Sequence, residues 1–196
     1  MTSTNPKILQ ELKEIAEDWD NYPRNASTEV LEFIKESERF EGWFQRDAST
    51  ELNIRRHGFH ICAVKSYSDM SENPRPVFCY TVGLERLGLP ELLTYYPSMS
   101  SVHHVFHDLY QRMLKREISP PSTTADVVHV DGAFDNEDLK VALTLLSPEE
   151  CEWAYQETTC QVTSEETPVA LVHIPYPSGH MPMDLLPEEL LKGIQG

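Results

Sequence analysis

Residues 54–84 read IRRHGFHICAVKSYSDMSENPRPVFCYTVGL and set the class of the fold. From Ile54 the apolar pattern takes a period of two: Phe59, Ile61 and Ala63 alternate against His60, Cys62 and Val64, and Phe78, Tyr80, Val82 and Leu84 share a face. Side chains of an extended chain point alternately to two faces, so both runs predict strands. The intervening SYSDMSENPRP is polar and carries two prolines. It predicts an exposed connection, too long for a tight hairpin, with its flanks paired antiparallel.

On the amino-terminal side the period changes. Ile8, Leu12, Ile15 and Trp19 recur at steps of three and four behind Asn5 as a cap and Pro6 at the first helical position, which predicts an amphipathic helix. A second helix is predicted from Ser27, with Val30, Ile34 and Phe40 on one side and Glu29 and Glu32 near its positive end. A free helix would leave the first stripe in water, so these helices are expected to pack.

On the carboxyl-terminal side Val102, Val105, Phe106, Leu109 and Met113 form one stripe behind Ser100 and Ser101, predicting a helix over 100–116 that the prolines at 120 and 121 stop. Val127–Val130 is a short apolar run, and Leu139, Val141, Leu143 and Leu145 alternate with Lys140, Ala142 and Thr144 as a half-buried strand requires. Ser147, Pro148 and Glu150 make a capping box that opens a helix through Trp153 and Tyr155, and a last strand spans Val169–Ile174. The expected architecture is α+β: a mixed, largely antiparallel sheet with packed helices, as a helical segment over 1–53, a domain over 54–185 and a tail over 186–196.

The 196 residues suit one sizeable domain with an arm, since domains cluster near roughly 100–150 residues, and 40% hydrophobic residues suffice for a core. Sixteen Lys+Arg against 32 Asp+Glu leave a net charge of −16, which repels phosphate backbones and anionic membranes. Neither nucleic acid nor membrane is expected as a direct partner. No stretch approaches the roughly 18 apolar residues of a membrane span and the start has no leader pattern, so a cytoplasmic location is expected.

Several short motifs follow one another: Gly58-Phe59-His60 before the first strand, Tyr80-Thr81-Val82-Gly83-Leu84 along the second, Pro90-Glu91-Leu92 next, then His103–Leu109 and a closing Pro175, Gly179 and Pro182. Over roughly residues 54–185 this series resembles the family called domain of unknown function 4262. The resemblance implies no reaction, cofactor or substrate. The closing motif differs, with Leu171, Ile174 and Tyr176 where that family usually carries Gln, Trp and Asp.

Candidate functional residues therefore come from the side chains themselves. His60 and His173 lie in strand-like apolar runs, where an imidazole either finds a hydrogen-bond partner or meets solvent at a cleft. Either one is a candidate general base or a satisfied structural histidine, with Glu91 a candidate to orient it. Tyr80, Thr81, Gly83, Gly179 and His180 are candidate binding residues around the second strand and the closing segment. Tyr80 and Thr81 face opposite ways, so only one of them can line a given pocket. His103 and His107 stand one helical turn apart but lack an assignable third ligand, so neither a metal nor a cofactor is expected. P-loop, GxGxxG and GxSxG patterns are absent from the sequence.

Two classes of function remain open: a module that binds a small ligand or protein partner, and an enzyme, for example a hydrolase using His60 or His173 with Glu91. A third, an acidic inhibitor or scaffold, requires a contiguous surface patch. Cys62, Cys79, Cys151 and Cys160 show no CxxC spacing. All four are expected to be reduced, and thiol titration after denaturation without reductant should return four free thiols per chain. Fewer would mean a disulfide.

Overall fold

The computed structural model describes residues 5–17, 22–65, 76–95, 98–133, 140–147, 149–150 and 167–174. The chain forms two compact units, the first running to His60 and the second beginning at Ile61.

The first unit holds three helices, α1 (Pro6–Glu17), α2 (Thr28–Glu36) and α3 (Gly42–His57). Asn5 Oδ1 accepts from Lys7 N–H at 3.0 Å at the start of α1, and Ser27 Oγ accepts from Val30 N–H at 3.3 Å at the start of α2. Ile8, Leu12 and Ile15 of α1 pack against a cluster built from Tyr22, Val30, Leu31, Ile34, Phe44 and Ala48. Trp19, the fourth member of that stripe, lies outside the described residues. Phe40 packs on the same cluster from the turn after α2 rather than from the helix itself.

Helix α3 corrects the expectation of a strand from Ile54. Its amphipathic signature is blurred because it buries two stripes. Phe44, Ala48 and Leu52 join the apolar cluster, while Asp47, Thr50, Glu51 and Ile54 are buried as well, three of them polar. Polar residues at buried positions dilute a period of 3.6. Burial of Glu51 is compensated by Arg55, whose Nε donates to Glu51 Oε1 at 2.8 Å while Nη2 reaches the carbonyls of Arg24 and Ala26 at 2.9 and 2.7 Å. The helix ends at Gly58 in the left-handed region, φ 89°, with its N–H on Ile54 O at 2.7 Å.

The second unit is a six-stranded sheet in the order β1 (His60–Lys65), β2 (Pro76–Val82), β3 (Glu91–Thr94), β6 (Val169–His173), β5 (Val141–Leu145) and β4 (Val127–Val130). β2–β3, β4–β5 and β5–β6 pair antiparallel, and β3–β6 pair parallel. The architecture is α+β with a mixed, mostly antiparallel sheet. In β1 Ala63 is exposed whereas Val64 packs against the apolar cluster of Phe78, Leu93 and Leu171. The connection between β1 and β2 lies outside the described residues. Helix α4 (Met99–Leu114) buries its whole predicted stripe of Val102, Val105, Phe106, Leu109 and Met113. It is capped by Ser98 rather than Ser100 or Ser101, and Ser98 Oγ accepts from Ser101 N–H at 3.4 Å.

Registered neighbours share a face of the sheet. One face carries Cys79, Thr94, Ala170, Val172, Leu143 and Val141, all buried, and α4 meets it where Met99 Sδ lies 3.2 Å from Cys79 Sγ. The capping box forms as expected after β5: Ser147 N–H donates to Glu150 Oε2 at 2.7 Å and Glu150 N–H to Ser147 Oγ at 3.3 Å. Trp153 and Tyr155 lie outside the described residues. No helix among the described residues is long and apolar enough to cross a membrane.

Phe106 is fully buried. Phe106→Ala should cost about 3–5 kcal/mol in urea unfolding, whereas Leu114→Ala on the exposed side of α4 should stay within about 0.5 kcal/mol. Similar costs for both would show that α4 does not close this core.

Candidate functional site

The two central motifs meet at one turn. β2 ends where Gly83 takes φ 112°, a conformation that a side chain would strain, and a single 3-10 turn, Leu84–Leu87, follows. Gly88, φ 70°, closes that turn and Pro90 leads directly into β3. Pro90-Glu91-Leu92 therefore begins a strand rather than forming a turn, and the left-handed bend at Gly83 aims successive backbone N–H groups at the Glu91 side chain.

Glu91 is 2% exposed. Its Oε2 accepts from Thr81 Oγ1–H at 2.6 Å, and its Oε1 accepts from the N–H groups of Gly83 at 2.7 Å and Glu85 at 3.3 Å. Thr81 Oγ1 in turn accepts from Leu92 N–H at 2.7 Å, and Glu85 Oε2 accepts from Thr167 Oγ1–H at 2.7 Å. Burial pushes the Glu91 carboxyl up to about 7, while Thr81, the turn amides and the Arg86 charge pull it back. One hydroxyl and the turn amides thus favour the ionised form of this carboxyl without cancelling the cost of its burial.

His173 does not join it. β3 and β6 run parallel with Glu91 opposite Val169, so His173 stands four residues further along, roughly 13 Å away at ~3.3 Å per residue. The His173 Nε2 lies 2.9 Å from Thr144 Oγ1 on β5, and burial holds its imidazole below the usual histidine value. His60 belongs to the first unit, where its Nδ1 lies 3.1 Å from Asn53 Nδ2 and burial likewise lowers its pKa. Thr81, Gly83 and Glu91 are thus brought together. Tyr80, paired with Leu93, lies half-buried on the opposite face from Thr81, beside Phe78 at a ring separation of 6.2 Å. Gly179 and His180 lie outside the described residues.

The face that carries Tyr80 is graded. Leu93, Val169 and Leu171 are buried at its centre, Thr144, Ala142 and His173 are half-buried, and His129 and Val127 on the outer strand β4 are exposed. Val127 is 52% exposed. The His173–Thr144 pair therefore stands at the border between the buried and the exposed part of this face. Thr144, Ala142 and His129 were not among the residues singled out from the sequence. The signal for them was the polar half of the β5 alternation, legible only once β6 is known to lie beside it.

Two altered positions of the closing motif are accounted for: Leu171 and Ile174 are buried, 3% and 2% exposed, and serve the core. Tyr176 lies outside the described residues. His103 and His107 sit with ring centroids 4.5 Å apart on α4, and no group of three or more His, Cys, Asp or Glu among the described residues is arranged to hold a metal. Cys79 is a free cysteine, and burial pushes its thiol up to about 11.

In comparison with known proteins, residues 53–175 match the family described as Domain of unknown function (DUF4262). No curated protein and no solved structure matches the chain. The matched span includes Thr81, Gly83, Glu91 and His173, and leaves out α1, α2 and most of α3.

An acid whose pKa is raised by folding keeps its proton in the folded chain over a window where the unfolded chain has lost it. Its contribution is full below the ordinary 4.5 and is lost as pH rises through about 7. Stability should therefore fall between these values by an amount on the order of 3 kcal/mol, at ~1.4 kcal/mol per pKa unit. Glu91→Gln should flatten that window in denaturant titrations at stepped pH; an unchanged slope would show that Glu91 does not titrate there.

Proposed function

The chain belongs to the family of domain of unknown function DUF4262, and from that premise we propose that it is a binding module rather than an enzyme, taking a small ligand or protein partner on the open half of its sheet. The observation that carries this reading is the internal commitment of Glu91: both carboxylate oxygens are held by Thr81, Gly83 and Glu85, so the motif's ionisable group serves the turn. What is left at the surface is a half-buried histidine paired with a threonine, beside alanine and an exposed histidine and valine. That mixture of apolar floor and few polar groups suits orientation of a ligand more than proton transfer.

The enzyme alternative draws on the same residue, because a carboxyl pushed near neutrality suits acid–base chemistry. Against it stand the near-complete burial of Glu91 and the distance to His173, which leaves the pair unable to share a proton. A base must reach its proton within about 3 Å or through one water.

The test is a thermal-shift screen of the full chain against small metabolites and short peptides, with hits titrated into the wild type, His173→Ala and Glu91→Gln. His173→Ala should weaken a hit about tenfold or more, near 1.4 kcal/mol, with little change in Tm. Glu91→Gln should move Tm and leave affinity within about twofold. Turnover of a hit that Glu91→Gln abolishes would overturn the binding reading in favour of the enzyme.

A further inference from the structure

Two methionines of helix α4 have opposite environments. Met113 is 4% exposed and belongs to the stripe that packs on the sheet, whereas Met99, the first residue of the helix, is 38% exposed. The Met99 thioether nevertheless touches the core. Its Sδ accepts from the Sγ–H of Cys79 at 3.2 Å, and Cys79 is fully buried on β2. Met99 thus stands at the seam between α4 and the sheet, with one side against a buried thiol and the other in water.

The two sulfurs are unequal targets for oxidation. A cysteine reacts with peroxides as its thiolate, and burial pushes the Cys79 thiol up to about 11, so it keeps its proton at neutral pH. A thioether needs no deprotonation, and its polarisable lone pairs react where an oxidant can reach them. Of the two methionines of α4, Met99 is the one that offers that access.

We propose that Met99 is an oxidation site, where a hydroperoxide converts the thioether to the sulfoxide and detaches the first turn of α4 from Cys79. The step is a two-electron oxygen transfer. A lone pair of Sδ attacks one oxygen of hydrogen peroxide, an S–O bond forms, the O–O bond breaks, and the second oxygen leaves as water with both protons. Sulfur is oxidised, the peroxide is reduced, and no other reactant is consumed. The new oxygen is a strong acceptor that requires hydration, so the head group turns toward water and draws the sulfur away from Cys79. The Cys79 S–H then loses its acceptor. From Val102 to Met113 the buried stripe still holds the helix on the sheet, so the opening is local.

The test treats the full chain with dilute hydrogen peroxide and maps the products by peptide mass. Met99 should gain one oxygen about tenfold faster than Met113, with Cys79 still open to alkylation after denaturation. The Val102 N–H donates to Ser98 O at 2.9 Å across the first turn, and its hydrogen exchange should then rise about tenfold or more while that of Leu109 stays unchanged. Met99→Leu keeps the bulk but cannot form a sulfoxide. After peroxide it should exchange like the untreated wild type, which separates Met99 from the methionines at 1, 70, 181 and 183. Met99→Gln places a polar head group there without peroxide and should reproduce the faster Val102 exchange, and methionine sulfoxide reductase should reverse it in the oxidised wild type. Equal oxidation of Met99 and Met113, prior oxidation of Cys79, or unchanged Val102 exchange in the oxidised wild type would each overturn the proposal. A peroxide effect that persists in Met99→Leu would do the same.

Discussion

A carboxylate removed from water must be compensated where it stands, and Glu91 organises the centre of the sheet by that requirement. Compensation needs Thr81 on the neighbouring strand, a left-handed Gly83 to redirect the backbone, and a short 3-10 turn whose N–H groups converge. The Glu91 N–H meanwhile donates to Pro168 O at 2.9 Å, and Glu91 opposes Val169 where β6 begins. Through Glu85 the same turn also holds Thr167. One residue thus ties the antiparallel β2–β3 pair to the parallel β3–β6 pair, and the YTVGL and PEL motifs are the two halves of a single structural device.

With Glu91 committed to that device, the two faces of the sheet differ in how far they are buried. The α4 face is mostly buried, with Val128 and Leu145 half-buried toward its margin, and a complete apolar stripe of α4 packs on it. The other face passes from buried leucine and valine to an exposed outer strand within three strands, and His173 lies on the transition. The first helical unit follows different physics. There polar residues are buried along α3 and satisfied in part by Arg55.

The periods of the sequence were enough for the class of the fold. Stripes at three and four marked α1, α2 and α4, alternation marked β1, β2 and β5, and Ser147 with Glu150 marked a capping box that forms as read. Such local signals are legible because side-chain direction is dictated by the backbone of each element alone. Helix α3 was missed because it buries Asp47, Thr50 and Glu51 among its apolar positions.

By itself, then, the sequence determined the segments of α1, α2, α4, β1, β2, β4, β5 and β6, which chain segments carry the family's motifs, and that the chain is strongly acidic. Only the tertiary structure decided that Thr81, Gly83 and Glu91 bond one another and that His173 pairs with Thr144 instead of Glu91. The physical reason is the parallel β3–β6 pairing across 77 intervening positions of register: Glu91 meets Val169 and His173 is carried to the far end. Strand order and register between distant segments depend on sums of weak contacts that no local pattern records.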